Sequence, residues 1–204
     1  PGVQGMRWHA GCVRGRAAHA GTTPVTRRKD ARLAAAQMSE QVNGVAQAHA
    51  PEGLSTIGIS TALPASSNVG PREVRFTVDL RNPSETILQA MEDSFLQRMQ
   101  HCAQAHDVQV EVVPTWNSPA VHFDPLCIKS VEESAAELGY TMREIVSGAG
   151  HDAVYVSRVV PTGMIFVPCL HGISHNEAES ATPEDVTAGS NVLLHAVLKA
   201  DKIF

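Results

Sequence analysis

Five separated groups of polar residues have the types and spacing to act on a substrate, and each also has a plain structural reading. The segment 171–179 (His-Gly-Ile-Ser-His-Asn-Glu-Ala-Glu) follows an apolar run. His171 or His175 could bind a divalent metal through one ring nitrogen while Glu177 or Glu179 orients the other; the plain reading is a polar loop with two incidental histidines. In 147–153 (Ser-Gly-Ala-Gly-His-Asp-Ala), Gly148 and Gly150 let the backbone approach a ligand. A helix beginning there favours anions, and His151 could donate to a carbonyl or carboxylate; otherwise the segment is a glycine-rich turn with Asp152 in the first turn of a helix. His19 lies where a strand gives way to the tight turn Ala-Gly-Thr-Thr-Pro, a place that presents a side chain, or simply leaves a histidine on the surface. Arg27, Arg28 and Lys29 crowd the start of the next helix, where positive charge opposes the dipole; pairing with Asp30 is the plain explanation. Asn68 can donate and accept, and Arg81 ends a strand with a planar fork suited to a carboxylate, or to a surface salt bridge.

The elements that must position these groups fall into two blocks. Residues 6–16 are strand-like, and 27–48 carry Ala31, Ala34, Ala35, Met38, Val42 and Val45 at helical spacing before Pro51 and Gly53. The run 54–63 alternates. In 72–80, Val74, Phe76, Val78 and Leu80 share one face and Arg75, Thr77 and Asp79 the other. Ser84 suits the N-cap of a helix reaching about 105, and 108–113 alternates again. This β-α-β-β-α-β order predicts an α+β, ferredoxin-like sandwich with two helices on one sheet face, against unrelated short α+β elements as the alternative. Its open edges need a partner or protection.

Beyond residue 118 the pattern changes to a helix over 126–138 ended by Gly139, a short strand 142–146, and a short helix 151–159. A buried strand follows at 163–168, then a helix from Thr182-Pro183-Glu184-Asp185 to about 199. Two strands do not make a doubly wound sheet, so further strands are expected from a segment preceding Pro1.

Composition narrows the classes. A net charge of −5 over 204 residues gives no electrostatic footprint for nucleic acid or an acidic membrane surface. No apolar run approaches the ~20 residues of a transmembrane helix. Cys12, Cys102, Cys127 and Cys169 never form a C-x-x-C pair, which predicts free thiols in a reducing cytoplasm.

Taken in order, His-Ala-Gly-Thr-Thr-Pro (19–24) with Arg28 and Asp30, Ser67–Asn68, Asp79–Arg81, 147–153 and 164–179 resemble the hydantoinase/carbamoylase branch of the M20 amidohydrolases. That branch includes N-carbamoyl-L-amino acid hydrolases, β-ureidopropionases and allantoate amidohydrolases. The resemblance implies a ferredoxin-like lid and dimerisation domain over 7–117, then the C-terminal α/β part of a zinc-exopeptidase-like catalytic domain over 118–204. By resemblance, His175 is one ligand of a site for two Zn2+ ions, with Mn2+ or another divalent ion as alternatives; Asn68 and Arg81 hold the substrate carboxylate. His151 contacts substrate near the scissile group, and His19 is offered to the partner's site in a homodimer to polarise the carbamoyl oxygen. The implied activity is removal of the carbamoyl group from N-carbamoyl-L-amino acids. Allantoate or ureidoglycolate hydrolysis, a relative acting on peptides or acyl-amino acids, and a non-catalytic dimerisation fragment are the alternatives.

The family's other metal ligands and its paired glutamates precede the lid and have no counterpart here, so the chain alone is expected to hold no zinc pair and to lack activity. Val25, where the family often has methionine, is expected to affect packing only.

Overall fold

A computed structural model describes residues 1–203. The chain divides into two compact units, Gln4–Ala120 and a second made of Pro1–Val3 with the residues from Val121 onward.

In the first unit, strands β2 (Gly5–Arg14), β4 (Leu54–Leu63), β6 (Glu73–Asn82) and β7 (Gln109–Ser118) form one sheet in the order β4-β6-β2-β7. Every neighbouring pair is antiparallel. Helices α1 (Ala31–Ala48) and α2 (Glu85–Ala105) cover one face, as the ferredoxin-like expectation requires. The alternation in β6 does the sorting: Val74, Phe76, Val78 and Leu80 point into the core, while Glu73, Arg75, Thr77, Asp79 and Arg81 line the open face. Met38, Val42 and Val45 of α1 and Leu88, Met91, Phe95 and Met99 of α2 meet that inner face, nearly all fully buried. Such residues contribute roughly 1.5–3 kcal/mol each on burial. Asp30 caps α1, its carboxylate accepting from the N–H groups of Arg32 and Leu33, and Ser84 caps α2 through the Ile87 N–H.

Several boundaries shift for local reasons. The strand expected to reach residue 16 ends at Arg14: the Gly15 N–H still meets the in-register Arg72 carbonyl at 2.8 Å, but the Arg16 N–H leaves the sheet for the Lys29 carbonyl at 2.9 Å. There the chain lies so close to residue 29 that a Cβ on Gly15 would strike the Lys29 carbonyl oxygen. The helix expected from residue 27 starts at Ala31, after a 3-10 turn at Val25–Arg27. The last strand runs past residue 113 to Ser118. It carries Pro114 by a register shift between Trp8 and His9, an edge position that tolerates a missing N–H. The other edge strand, β4, is also irregular, between Ile57 and Ser60. Two smaller strands, β3 (Ala18–His19) and β5 (Val69–Gly70), pair outside this sheet.

The second unit holds the short ladder of β1 (Gly2–Val3) and β8 (Val121–His122), with helices α3 (Pro125–Glu137), α4 (Asp152–Val156) and α5 (Pro183–Ala200). Asp124 and Thr182 cap α3 and α5, each followed by a proline in the first turn. Gly139, at φ +74°, ends α3's last turn as expected. Lys199 ties α5 to α3 through Glu137 at 2.6 Å.

Three expectations fail in this unit. The helix over 151–159 shortens to α4. Neither 142–146 nor 163–168 forms a strand among the described residues. Both segments line a cavity of about 650 Å³, and their side chains are half-buried or exposed; Phe166 is 46% exposed. A strand exists only when its backbone groups are paired, and no neighbouring strand reaches either segment here. Residue 147 alone is engaged, its N–H donating to the Gly2 carbonyl at 2.8 Å. No helix among the described residues is long and apolar enough to cross a membrane.

Candidate functional site

His19 and Asn68 come together. The β3–β5 ladder pairs His19 with Val69 and Ala18 with Gly70, and the Ala20 N–H donates to the Asn68 carbonyl at 2.9 Å. The turn after His19 closes by a bond from the Thr23 N–H to the His19 carbonyl. His19 Nδ1 accepts from the N–H groups of Gly21 and Thr22 at 3.1 and 3.2 Å, leaving the exposed ring's Nε2 outward. Asn68 is also exposed, its Oδ1 accepting from the Ser66 hydroxyl at 2.9 Å.

Arg81 is not with them. It stands near the opposite end of β6, beside Met6 of β2 and Leu54 of β4, eight residues from Glu73. At about 3.3 Å per residue that is roughly 26 Å of strand, and the His19–Asn68 ladder lies beyond the Glu73 end. Within one copy of this unit, Asn68 and Arg81 therefore do not grip one carboxylate. Asp79, two residues before Arg81 on the same open face, takes the Arg81 Nε at 3.0 Å and Nη2 at 2.6 Å. The pair is three-quarters buried, which fixes the plane of the guanidinium.

In the second unit, His151 precedes α4 and its Nε2 lies 2.8 Å from the hydroxyl of buried Ser147. The Ser147 oxygen also accepts from the Ala149 N–H, so the glycine-rich turn holds the serine and the serine holds the imidazole. The Phe166 ring packs edge-on against His151 at 5.6 Å. Nδ1 of His151 is the nitrogen left to meet a ligand.

His175 sits in an exposed loop at φ +56°, a backbone conformation uncommon outside glycine. Glu179, expected to orient its ring, instead accepts from the His175 backbone N–H at 2.9 Å. Among the described residues no three His, Cys, Asp or Glu side chains converge as a metal centre requires. One imidazole does not hold a catalytic ion, so these residues by themselves do not fit a metal pair.

Sequence reasoning missed three groups. Arg28 does not pair with Asp30, which is spent on capping α1; its guanidinium reaches back to the Ala20 and Thr23 carbonyls. Lys29 pairs with Asp107 at 2.7 Å instead. Ser147 was legible only as part of a loop. Arg7 and His9, alternate inward residues of β2, meet Glu92 of α2, with Arg7 also bonded to Glu85 and Gln89. Burial pulls the Arg7 pKa down, and the bonds to Glu85 and Glu92 more than offset it, leaving the guanidinium's pKa raised. Val25 is 74% exposed and packs little, so its departure from methionine has small structural effect here.

Residues 5–199 match the model of peptidase family M20/M25/M40. The chain belongs to that family. It is 38% identical over 98% of its length to an N-carbamoyl-L-amino-acid amidohydrolase of Rhizobium meliloti, covering 48% of that relative. A crystal structure of an amidase of the hydantoinase/carbamoylase family from Burkholderia multivorans superposes with TM-score 0.91 at 45% identity, covering 96% of this chain and 48% of that one. A ureidoglycolate hydrolase of Arabidopsis thaliana is 31% identical over 88% of the chain, which covers 38% of it. Among M20 proteins the likeness is thus to the hydantoinase/carbamoylase branch, and the chain spans about half the length of the relatives it matches.

Proposed function

We propose that this chain is the lid, over 7–117, and the C-terminal catalytic segment, over 118–204, of a homodimeric, metal-dependent amidohydrolase that removes the carbamoyl group of N-carbamoyl-L-amino acids. The observation that carries the reading is the separation of His19 and Asn68, at the small β3–β5 ladder, from Arg81 at the far end of β6. Residues that one copy holds at opposite ends converge when two copies pair about a two-fold axis, each completing the other's site. Arg81, held flat by Asp79, reads the substrate carboxylate; Asn68 and His19 arrive from the second copy.

The chemistry assigned to this chain is binding and charge stabilisation. The His19 Nε2–H donates to the carbamoyl oxygen as negative charge develops there. His151, steadied by Ser147, meets the substrate near the scissile bond through Nδ1. A divalent-metal centre, of zinc or manganese, would take His175 as one ligand and its other ligands from outside this chain. Adding water across the ureido C–N bond releases the amino acid, with ammonia and carbon dioxide from the carbamoyl group. Four cysteines without disulfides suit a reducing compartment, and the cytoplasm is the place proposed.

The test is substrate profiling of the full-length protein with Arg81→Lys beside it. Replacing the bidentate fork by a point charge costs about 1.5–3 kcal/mol, which raises KM for an N-carbamoyl-L-amino acid about 10- to 100-fold. Equal turnover of a substrate lacking the carboxylate would contradict the proposal. The similarity to a ureidoglycolate hydrolase favours a second reading, hydrolysis of ureidoglycolate or allantoate, and the same substrate panel separates the two. If the full-length protein turns over none of these, and no peptide or acyl-amino acid, the chain is a binding or dimerisation module.

A further inference from the structure

We propose that Arg28 is a positioning residue that fixes the tautomer of His19, so that the imidazole always presents Nε2–H as a donor. The inference rests, for its role in the reaction, on the reading above that His19 meets the substrate. Its geometric part stands on this chain alone.

His19 Nδ1 accepts two backbone hydrogen bonds, from Gly21 at 3.1 Å and Thr22 at 3.2 Å. A ring nitrogen that accepts cannot carry the proton, so the neutral ring bears it on Nε2. Arg28 sets those donors. Its Nη2 holds the Ala20 carbonyl at 2.7 Å, and the Ala20 carbonyl and the Gly21 N–H belong to one planar peptide group. Fixing the oxygen aims the N–H at Nδ1. The Arg28 Nε holds the Thr23 carbonyl at 2.9 Å, so the two arms of one guanidinium span the turn. Arg28 is itself anchored. Its N–H donates to the Val25 carbonyl, while Arg16 bonds the Arg27 carbonyl by its side chain and the Lys29 carbonyl by its backbone N–H. Arg28 therefore serves the turn, outside the helix whose dipole it would oppose.

A lysine at position 28 offers a point donor and cannot hold both carbonyls in one plane. A turn stabilised for its own sake would need the carbonyl bonds but would be indifferent to which nitrogen of His19 is protonated. The tautomer is thus the property that separates a positioning role from a merely structural one.

The experiment is long-range 15N–1H correlation NMR on the 15N-histidine-labelled chain at about pH 8, where a histidine is neutral. His19 is assigned by the signals lost in His19→Gln. Wild type is expected to show His19 wholly as the Nε2–H tautomer, and Arg28→Ala to show averaging between tautomers with the other histidine signals unmoved. An Nδ1–H or averaged pattern in wild type overturns the proposal, and so does an unchanged pattern in Arg28→Ala. If Arg28→Ala does not fold, the wild-type pattern and that of Arg28→Gln decide in its place by the same criteria. In the full-length protein, Arg28→Ala is expected to lower kcat about 10- to 100-fold with KM nearly unchanged. Unchanged kcat in His19→Asn would sink the substrate role of His19 and leave the tautomer result standing. An unchanged tautomer in Arg28→Ala would sink the positioning role and leave His19 at the substrate.

Discussion

A serine buried beneath a histidine and an arginine laid across a turn do the same kind of work: each removes freedom from an imidazole. Ser147→Ala deletes the partner of His151 Nε2 and leaves a small void in a buried turn. Of the bonds lost, the one to His151, about 1 kcal/mol, corresponds to a roughly fivefold fall in kcat/KM for the full-length protein. A steady-state comparison checks it, and an unaltered value would show that Ser147 does not hold the ring. The residues themselves were readable, since His19, Asn68, Arg81, His151 and His175 stand in distinctive segments. Their grouping was not. That Asn68 keeps company with His19 depends on a ladder whose two-residue strands are too short to carry a periodic signal. Burial also raises the thiol pKa of Cys102, which is 6% exposed. Native protein is therefore expected to alkylate there only at the rate of unfolding, as mass spectrometry after timed iodoacetamide treatment would show; prompt labelling would contradict the packing of α2.

Among the elements, the four long strands and the two long helices of the first unit were legible because alternation and helical spacing point to one buried layer. Their ends were less so. α1 starts where Asp30 caps it, and Asp30→Ala should cost about 1 kcal/mol in chemical denaturation. Gly15→Ala should cost more, roughly 1–3 kcal/mol, because the new methyl pushes residues 29–31 away from the end of β2. That shift also moves Arg28, so Gly15→Ala should disturb the His19 signal. The expected strands 142–146 and 163–168 failed for a reason outside their own residues: the apolar run 163–168 suits a sheet interior, but pairing of either segment needs neighbours. Hydrogen exchange should find their amides far less protected than those of β2 and β6. Equal protection would mean that partners exist which the described residues do not supply.

At the scale of the whole molecule, no three metal-ligating side chains converge among the described residues, and the chain spans near half the length of its relatives. Dialysed against zinc-free buffer, the 204-residue chain is expected to retain no stoichiometric zinc by atomic emission; two zinc ions per chain would refute this. The central claim concerns geometry across two copies. In the full-length protein, His19→Asn and Arg81→Ala should each abolish turnover, since each spoils both sites of its own dimer. Co-refolded in equal amounts, the two variants should recover about one quarter of wild-type activity, because half the dimers are mixed and each mixed dimer has one intact site. A mixture no more active than either variant alone would place His19 and Arg81 in the same copy's site and contradict the account.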